Sequence, residues 1–167
     1  MAFQLYKSLT STQPSERYIP TEAMAAGELV KLVANSDSGA LMGKVTRIAG
    51  GQDNNDIPYG VVQDTVTAAD VTAGATVQVI PINPDQIWKA DAAATCAATT
   101  INTATGLFLA AKGTAGAAGS FAVTLSGTIT NKGNLVTVVG IDGALADKKY
   151  LVKFNRIHLT GSIAFTT

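Results

Sequence analysis

From residue 27 onward the chain alternates short apolar runs with clusters of glycine, asparagine and aspartate, a rhythm that predicts β-strands. Residues 28–33 (ELVKLV) and 41–48 (LMGKVTRI) flank Asn35-Ser36-Asp37-Ser38-Gly39, a turn-forming loop, and so read as a hairpin. In the second run Met42, Lys44, Thr46 and Ile48 alternate with Gly43, Val45 and Arg47, which leaves one face wetter than the other. Residues 57–62 (IPYGVV), 76–82 (TVQVIPI) and 87–90 (IWKA) continue the series. Pro81 cannot donate to a ladder and marks an edge or a strand end. In the second half, 106–111, 121–129, 135–141, 150–157 and 162–165 are strand candidates. The run Asn131-Lys132-Gly133-Asn134 predicts a hairpin between two of them, and Asp142-Gly143 turns the chain again. Within 150–157, Tyr150, Val152 and Phe154 share one face, while Lys153 and Asn155 lie on the other.

One segment departs from this period. In 64–74 (DTVTAADVTAG), Thr67 and Asp70 stand three apart as in a capping box and Gly74 can end the turn, which supports one short helical turn. The fold class that follows is all-β, a compact barrel or sandwich with at most one short helix.

Residues 1–26 follow a different pattern. Gln13, Pro14, Ser15, Glu16, Arg17 and Pro20 interrupt any periodicity, and the apolar side chains are isolated. Pro14 and Pro20 bias the residues before them away from the helical region. The segment therefore reads as an extended N-terminal arm, with Phe3, Leu5, Tyr6, Tyr18, Ile19 and Pro20 as its partner-binding residues. Removal of residues 1–20 is expected to leave the fold intact. The domain itself spans 27–167, with room for two small lobes at about 27–91 and 92–167.

Composition narrows the function. Of 167 residues 47% are apolar, yet aromatics are only 6%, so large core side chains are scarce. Charged residues are 14%, against roughly 25% in an average domain, and 12 Lys plus Arg balance 12 Asp plus Glu. A nucleic-acid binder needs a cationic excess to displace phosphate counterions, so no nucleic-acid partner is expected. No apolar run approaches a bilayer span and no secretory signal is visible, so no membrane partner is expected and synthesis belongs to the cytoplasm. Cys96 is the single cysteine and cannot form an intrachain disulfide.

Candidate chemistry is sparse. His158, the single histidine, follows a strand-like run and reads as a partly exposed polar residue. Cys96, with no cation beside it in sequence, reads as a small buried hydrophobe. The glycine-rich 113–119 lacks the lysine and hydroxyl of a phosphate loop and leads into a strand. Asp53-Asn54-Asn55-Asp56 lacks the ligand spacing of a calcium loop and reads as a solvated turn. No catalytic, metal or cofactor residues are expected. Trp88 and Tyr59 are core candidates, with stacking on a sugar or an interface as the other use of such rings.

The order of features resembles the decoration, or cement, proteins of tailed-bacteriophage heads. It is carried by Arg17-Tyr18-Ile19-Pro20, then Gly27-Glu28-Leu29-Val30, then Ile57-Pro58-Tyr59-Gly60-Val61-Val62, a Thr72-Ala73-Gly74 turn and the late stretch 135–155. The resemblance implies a β-barrel or β-tulip-like body on the outer surface of an assembled capsid. It further implies a homotrimer, the major capsid protein as partner, an arm reaching over neighbouring subunits, and no catalysis. Two other functions compete: a carbohydrate- or receptor-binding β module of a phage fibre or spike using Trp88 and Tyr59, and a hydrolase built on His158.

Overall fold

The computed structural model describes residues 3–8, 15–33, 43–48, 58–92, 94–101, 107–109, 123–125 and 136–154. Along the chain come β1 (Phe3–Lys7), β2 (Glu16–Pro20), β3 (Leu29–Val33), β4 (Lys44–Arg47) and β5 (Gly60–Val62), then helix α1 (Ala68–Thr72). There follow β6 (Val77–Pro81), β7 (Ile87–Asp91), β8 (Leu107–Leu109), β9 (Val123–Leu125), β10 (Val136–Ile141) and β11 (Lys149–Phe154), with 3-10 turns at Ala98–Thr100 and Leu145–Asp147. The fold is all-β. Five strands close a barrel in the order β2-β4-β3-β5-β6, four form an open sheet β1-β7-β11-β10, and β8 pairs with β9.

Two apolar clusters explain why several strands read as unbroken hydrophobic runs. Val30, Val45, Val62, Val77 and Val79 meet Tyr18, Met24, Tyr59 and Val66 inside the barrel. Their neighbours Leu29, Val61 and Ile80 point the other way and pack against Phe3, Trp88, Ala90, Val138, Tyr150, Val152 and Phe154 of the open sheet. β3, β5 and β6 thus carry side chains into both cores, which is why β5 is buried at every position. β11 keeps the alternation expected of a strand with one wet face, with Tyr150, Val152 and Phe154 buried and Lys149, Leu151 and Lys153 half-buried. β5 also runs close against β6. A Cβ on Gly60 would collide with Val79 Cγ1 and lie 2.7 Å from the Ile80 carbonyl oxygen.

The local signals for turns act as read. Thr67 caps α1 by accepting from the Asp70 N–H at 3.2 Å, and Asp70 accepts in return from the Thr67 N–H at 2.9 Å. β3 and β4 pair antiparallel over four positions. The Asp142-Gly143 turn joins β10 to β11, with Gly143 at φ +83°, where a Cβ would lie 2.5 Å from the Asp147 carboxylate. Pro81 ends β6.

Two expectations differ from the structure. Residues 1–26 supply two strands of the body: β1 pairs with β7 and β2 pairs with both β4 and β6. Pro14 and Pro20 exclude a helix but not a strand, and the few apolar residues are spaced to face inward, Phe3 and Leu5 on β1, Tyr18 and Pro20 on β2. Removing these residues therefore strips strands from both sheets. The hairpin predicted at 131–134 lies outside the described residues. The second difference is the division at residue 91. β7 sits between β1 and β11, so the open sheet draws on both ends of the chain and no cut in sequence separates it from the barrel. The strand candidate at 162–165 lies outside the described residues.

Candidate functional site

The barrel holds two polar clusters, reached from opposite ends of β3. At its C-terminal end, Lys44 pairs with Val33, and the Tyr18 ring packs over the preceding Gly43, where a Cβ would stand 3.1 Å from Cε1. The Tyr18 hydroxyl contacts both the Tyr59 hydroxyl and Glu16 Oε2, and the Tyr59 hydroxyl donates to the same Glu16 oxygen at 2.9 Å. The rings meet edge to face, centroids 5.4 Å apart. Burial, then the hydrogen bond to Glu16, pushes the Tyr18 phenol far above its ordinary range. Burial likewise raises Tyr59, partly opposed by its bond to Tyr18. Both phenols therefore stay protonated and serve as donors.

At the N-terminal end of β3, Arg47 pairs with Glu28 with both side chains wholly buried. Glu28 also accepts from the Ala25 N–H at 2.9 Å. Beside them Glu22 Oε1 accepts from the Thr46 hydroxyl at 2.9 Å and from the Arg47 N–H at 3.2 Å. A buried pair of this kind is tolerated because hydrogen bonds accompany the charge contact. In both clusters the carboxylate accepts from a donor elsewhere in the chain, Tyr59 for Glu16 and Arg47 for Glu28, so the chemistry on offer is that of a tie between strands.

The open sheet places its polar groups differently. Lys149 bonds Asp91 across the β11–β7 pair, and Lys89 bonds Asp142 at 2.7 Å, all on the outer face. Tyr6 is the extra residue of a β-bulge in the β1–β7 pairing, 52% exposed, with the Lys89 ammonium 5.6 Å from its ring centroid.

The residues singled out from sequence are dispersed. Phe3 is buried in the core between sheet and barrel, where Leu5 packs against it, while Tyr18 and Pro20 are buried in the barrel and Ile19 is half-buried. Of the six, Tyr6 is the exposed one. Trp88 and Tyr59 are 0% and 3% exposed, so neither presents a ring face to a sugar. Cys96 is buried beside Tyr150, and burial raises its thiol. His158, Asp53 to Asp56 and the 113–119 loop lie outside the described residues.

Reading the sequence did not find either barrel cluster. A signal existed for one: Arg47 shares its alternating face with Val45, so a charge stands at a core position. For the other, the partners are 41 and 43 residues apart and no spacing rule links them.

The chain matches no family model, and no curated protein matches it. Among solved structures it is similar to the head fiber gp8.5 N base in bacteriophage phi29, at 16% identity and a TM-score of 0.43, over 87% of this chain and 97% of that one.

Proposed function

We propose that this chain is a non-catalytic structural protein of a phage virion, which binds the outside of an assembled head and stabilises the shell. The observation that carries this reading is that the stretches resembling decoration proteins are the ones that build the body. Arg17 to Pro20 lie in β2, Leu29 and Val30 open β3, Gly60 to Val62 are β5, and 135–155 contains β10 and β11. The charge pattern supports it. Lys89 and Lys149 on the outer sheet face are matched by Asp142 and Asp91, a surface that can be packed against a neighbour with little unpaired charge to desolvate.

In this reading the partners are the major capsid protein and two further copies of the chain. Many symmetric copies allow each contact to be weak. The N-terminal segment contributes through Tyr6, since the other residues first assigned to partner binding are half-buried or buried in the chain's own sheets. The test is co-sedimentation of the purified chain with empty phage shells, together with the melting temperature of the shells. Binding should raise that temperature, vary little between low and high salt because few unpaired charges take part, and fall on Tyr6→Ala. Absence of binding, or binding abolished by modest salt, overturns the proposal.

A further inference from the structure

The barrel is closed by one strand. β2 lies between β4 and β6, and without it the order β4-β3-β5-β6 is an open four-stranded sheet. Its seams are short. The pairing with β4, the one parallel pair in the barrel, runs through Ile19 and Pro20, and that with β6 through Glu16, Arg17 and Tyr18. On the β4 side the seam is extended by the Ile19 N–H to the Gly43 carbonyl at 2.9 Å and the Thr21 N–H to the Val45 carbonyl at 3.0 Å. Pro20 between them has no N–H to add.

What spans the barrel from β2 is the hydroxyl and carboxylate cluster. Tyr59, its far end, is rooted on other strands: its N–H donates to the Val30 carbonyl at 2.8 Å and its carbonyl accepts from Ile82 at 2.9 Å. Glu16 and Tyr18 belong to β2, so the cluster ties the closing strand to a fixed post. Its anchoring oxygen sits on Glu16, which is exposed, and water can therefore compete for it.

We infer that Glu16, Tyr18 and Tyr59 form a latch on a removable strand: β2 opens as a unit ahead of the rest of the fold, and the latch sets how often it does. Opening converts the barrel into a sheet with free edges at β4 and β6 and bares Val45 and Val77, a slot that β2 refills. Local opening of this kind is read by amide hydrogen exchange.

The test uses the full chain and its Tyr59→Phe variant, which keeps the ring and removes one hydroxyl. Exchange at the Ile19 and Thr21 amides should become about tenfold faster, the effect of losing one charge-assisted hydrogen bond. The mutually bonded amides of Met24 and Val66, and that of Ala92 in the sheet, should keep their rates. Tyr150→Phe, which removes a hydroxyl near the open sheet, should leave Ile19 and Thr21 unchanged. Where Tyr59→Phe also lowers the melting temperature, Glu16→Gln at the exposed end decides by the same ratio of rates. Ile19 and Thr21 changing in step with Met24 and Ala92, or responding to neither variant, overturns the latch.

Discussion

The barrel is lined mainly by valines and the open sheet mainly by aromatic rings, and the two keep their polar groups in different places. The barrel is drawn from one continuous stretch, residues 16–81, and admits charge to its interior, with Arg47 and Glu28 buried at one end of β3, while at the other end two buried tyrosines reach out to the exposed Glu16. The open sheet is gathered from both ends of the chain and turns an aromatic face inward, where Phe3, Trp88 and Phe154 meet ring to ring. Its ion pairs lie outside. A barrel interior is narrow and capped by its own ends, so a polar group there must find a partner within the strand set. A sheet with one free face can leave its charges to water. The difference predicts that the sheet is stabilised by bulk and the barrel by bulk and pairing together.

The largest effect should come from the sheet's bulk. Trp88 is the largest side chain that is fully buried, and it touches the layer shared by both cores. Trp88→Ala should lower unfolding free energy by an amount near the top of about 3–5 kcal/mol, measured by urea denaturation. A loss of under about 1 kcal/mol would mean that the two layers are not packed as one cooperative unit.

The second effect separates pairing from bulk. Arg47→Met leaves Glu28 buried without its cation and should cost about 3 kcal/mol or more, whereas adding Glu28→Leu should restore most of that loss. Recovery in the double variant would show that the pair adds little net stability over apolar packing. Failure to recover would assign the pair a stabilising role of its own.

These two sites also mark how far the sequence could be read. Periodicity exposed the strands because a pleated strand with one wet face must alternate, as 149–154 does, and the capping box at Thr67 and Asp70 declared α1 from four residues. What stayed hidden was non-local. β1 and β2 are short, carry two inward apolar residues each, and owe their strand state to partners about 80 and 60 residues away, so no window along the chain contains the cause. The same holds for the phenol cluster, whose members are ordinary residues until the barrel closes. The burial of Tyr59 is non-local in the same way, since its ring packs against Tyr18 of β2 and the barrel valines only once the N-terminal segment has joined the sheet.

The third effect appears with alkali, and the barrel contributes to it through two phenols, beside the buried thiol of Cys96 on the sheet side. The folded state holds the Tyr18 and Tyr59 phenols above their unfolded value of about 10. Below that pH both states are protonated and stability is at its full value. Above it the unfolded chain releases protons that the barrel retains, so stability falls as pH rises, by up to about 1.4 kcal/mol per pH unit for each phenol. The urea midpoint should drop between pH 9 and pH 11 by the amount this slope implies, and Tyr18→Phe should flatten the drop. A profile that Tyr18→Phe leaves unchanged would move the cause elsewhere.

The smallest effect is predicted for the sheet's outer face. Lys89 and Asp142 are bonded at 2.7 Å, closer than many strong pairs, but their side chains are 28% and 29% exposed. Water screens such a pair, and holding two side chains in one geometry costs entropy, so a double-mutant cycle between Lys89→Ala and Asp142→Ala should give a coupling below about 1 kcal/mol that shrinks with added salt. The nearby Tyr6 ring adds a cation–π contact worth about 0.5–1 kcal/mol to Lys89 alone, which appears in the single variant and cancels in the cycle only if it is independent of Asp142. The contrast with Arg47 and Glu28 is then one of burial and not of distance. The same cycle repeated on shells loaded with the protein sharpens it further: if this face packs against a neighbour, desolvation should raise the coupling towards that of the barrel pair, and an unchanged value would place the contact on another surface.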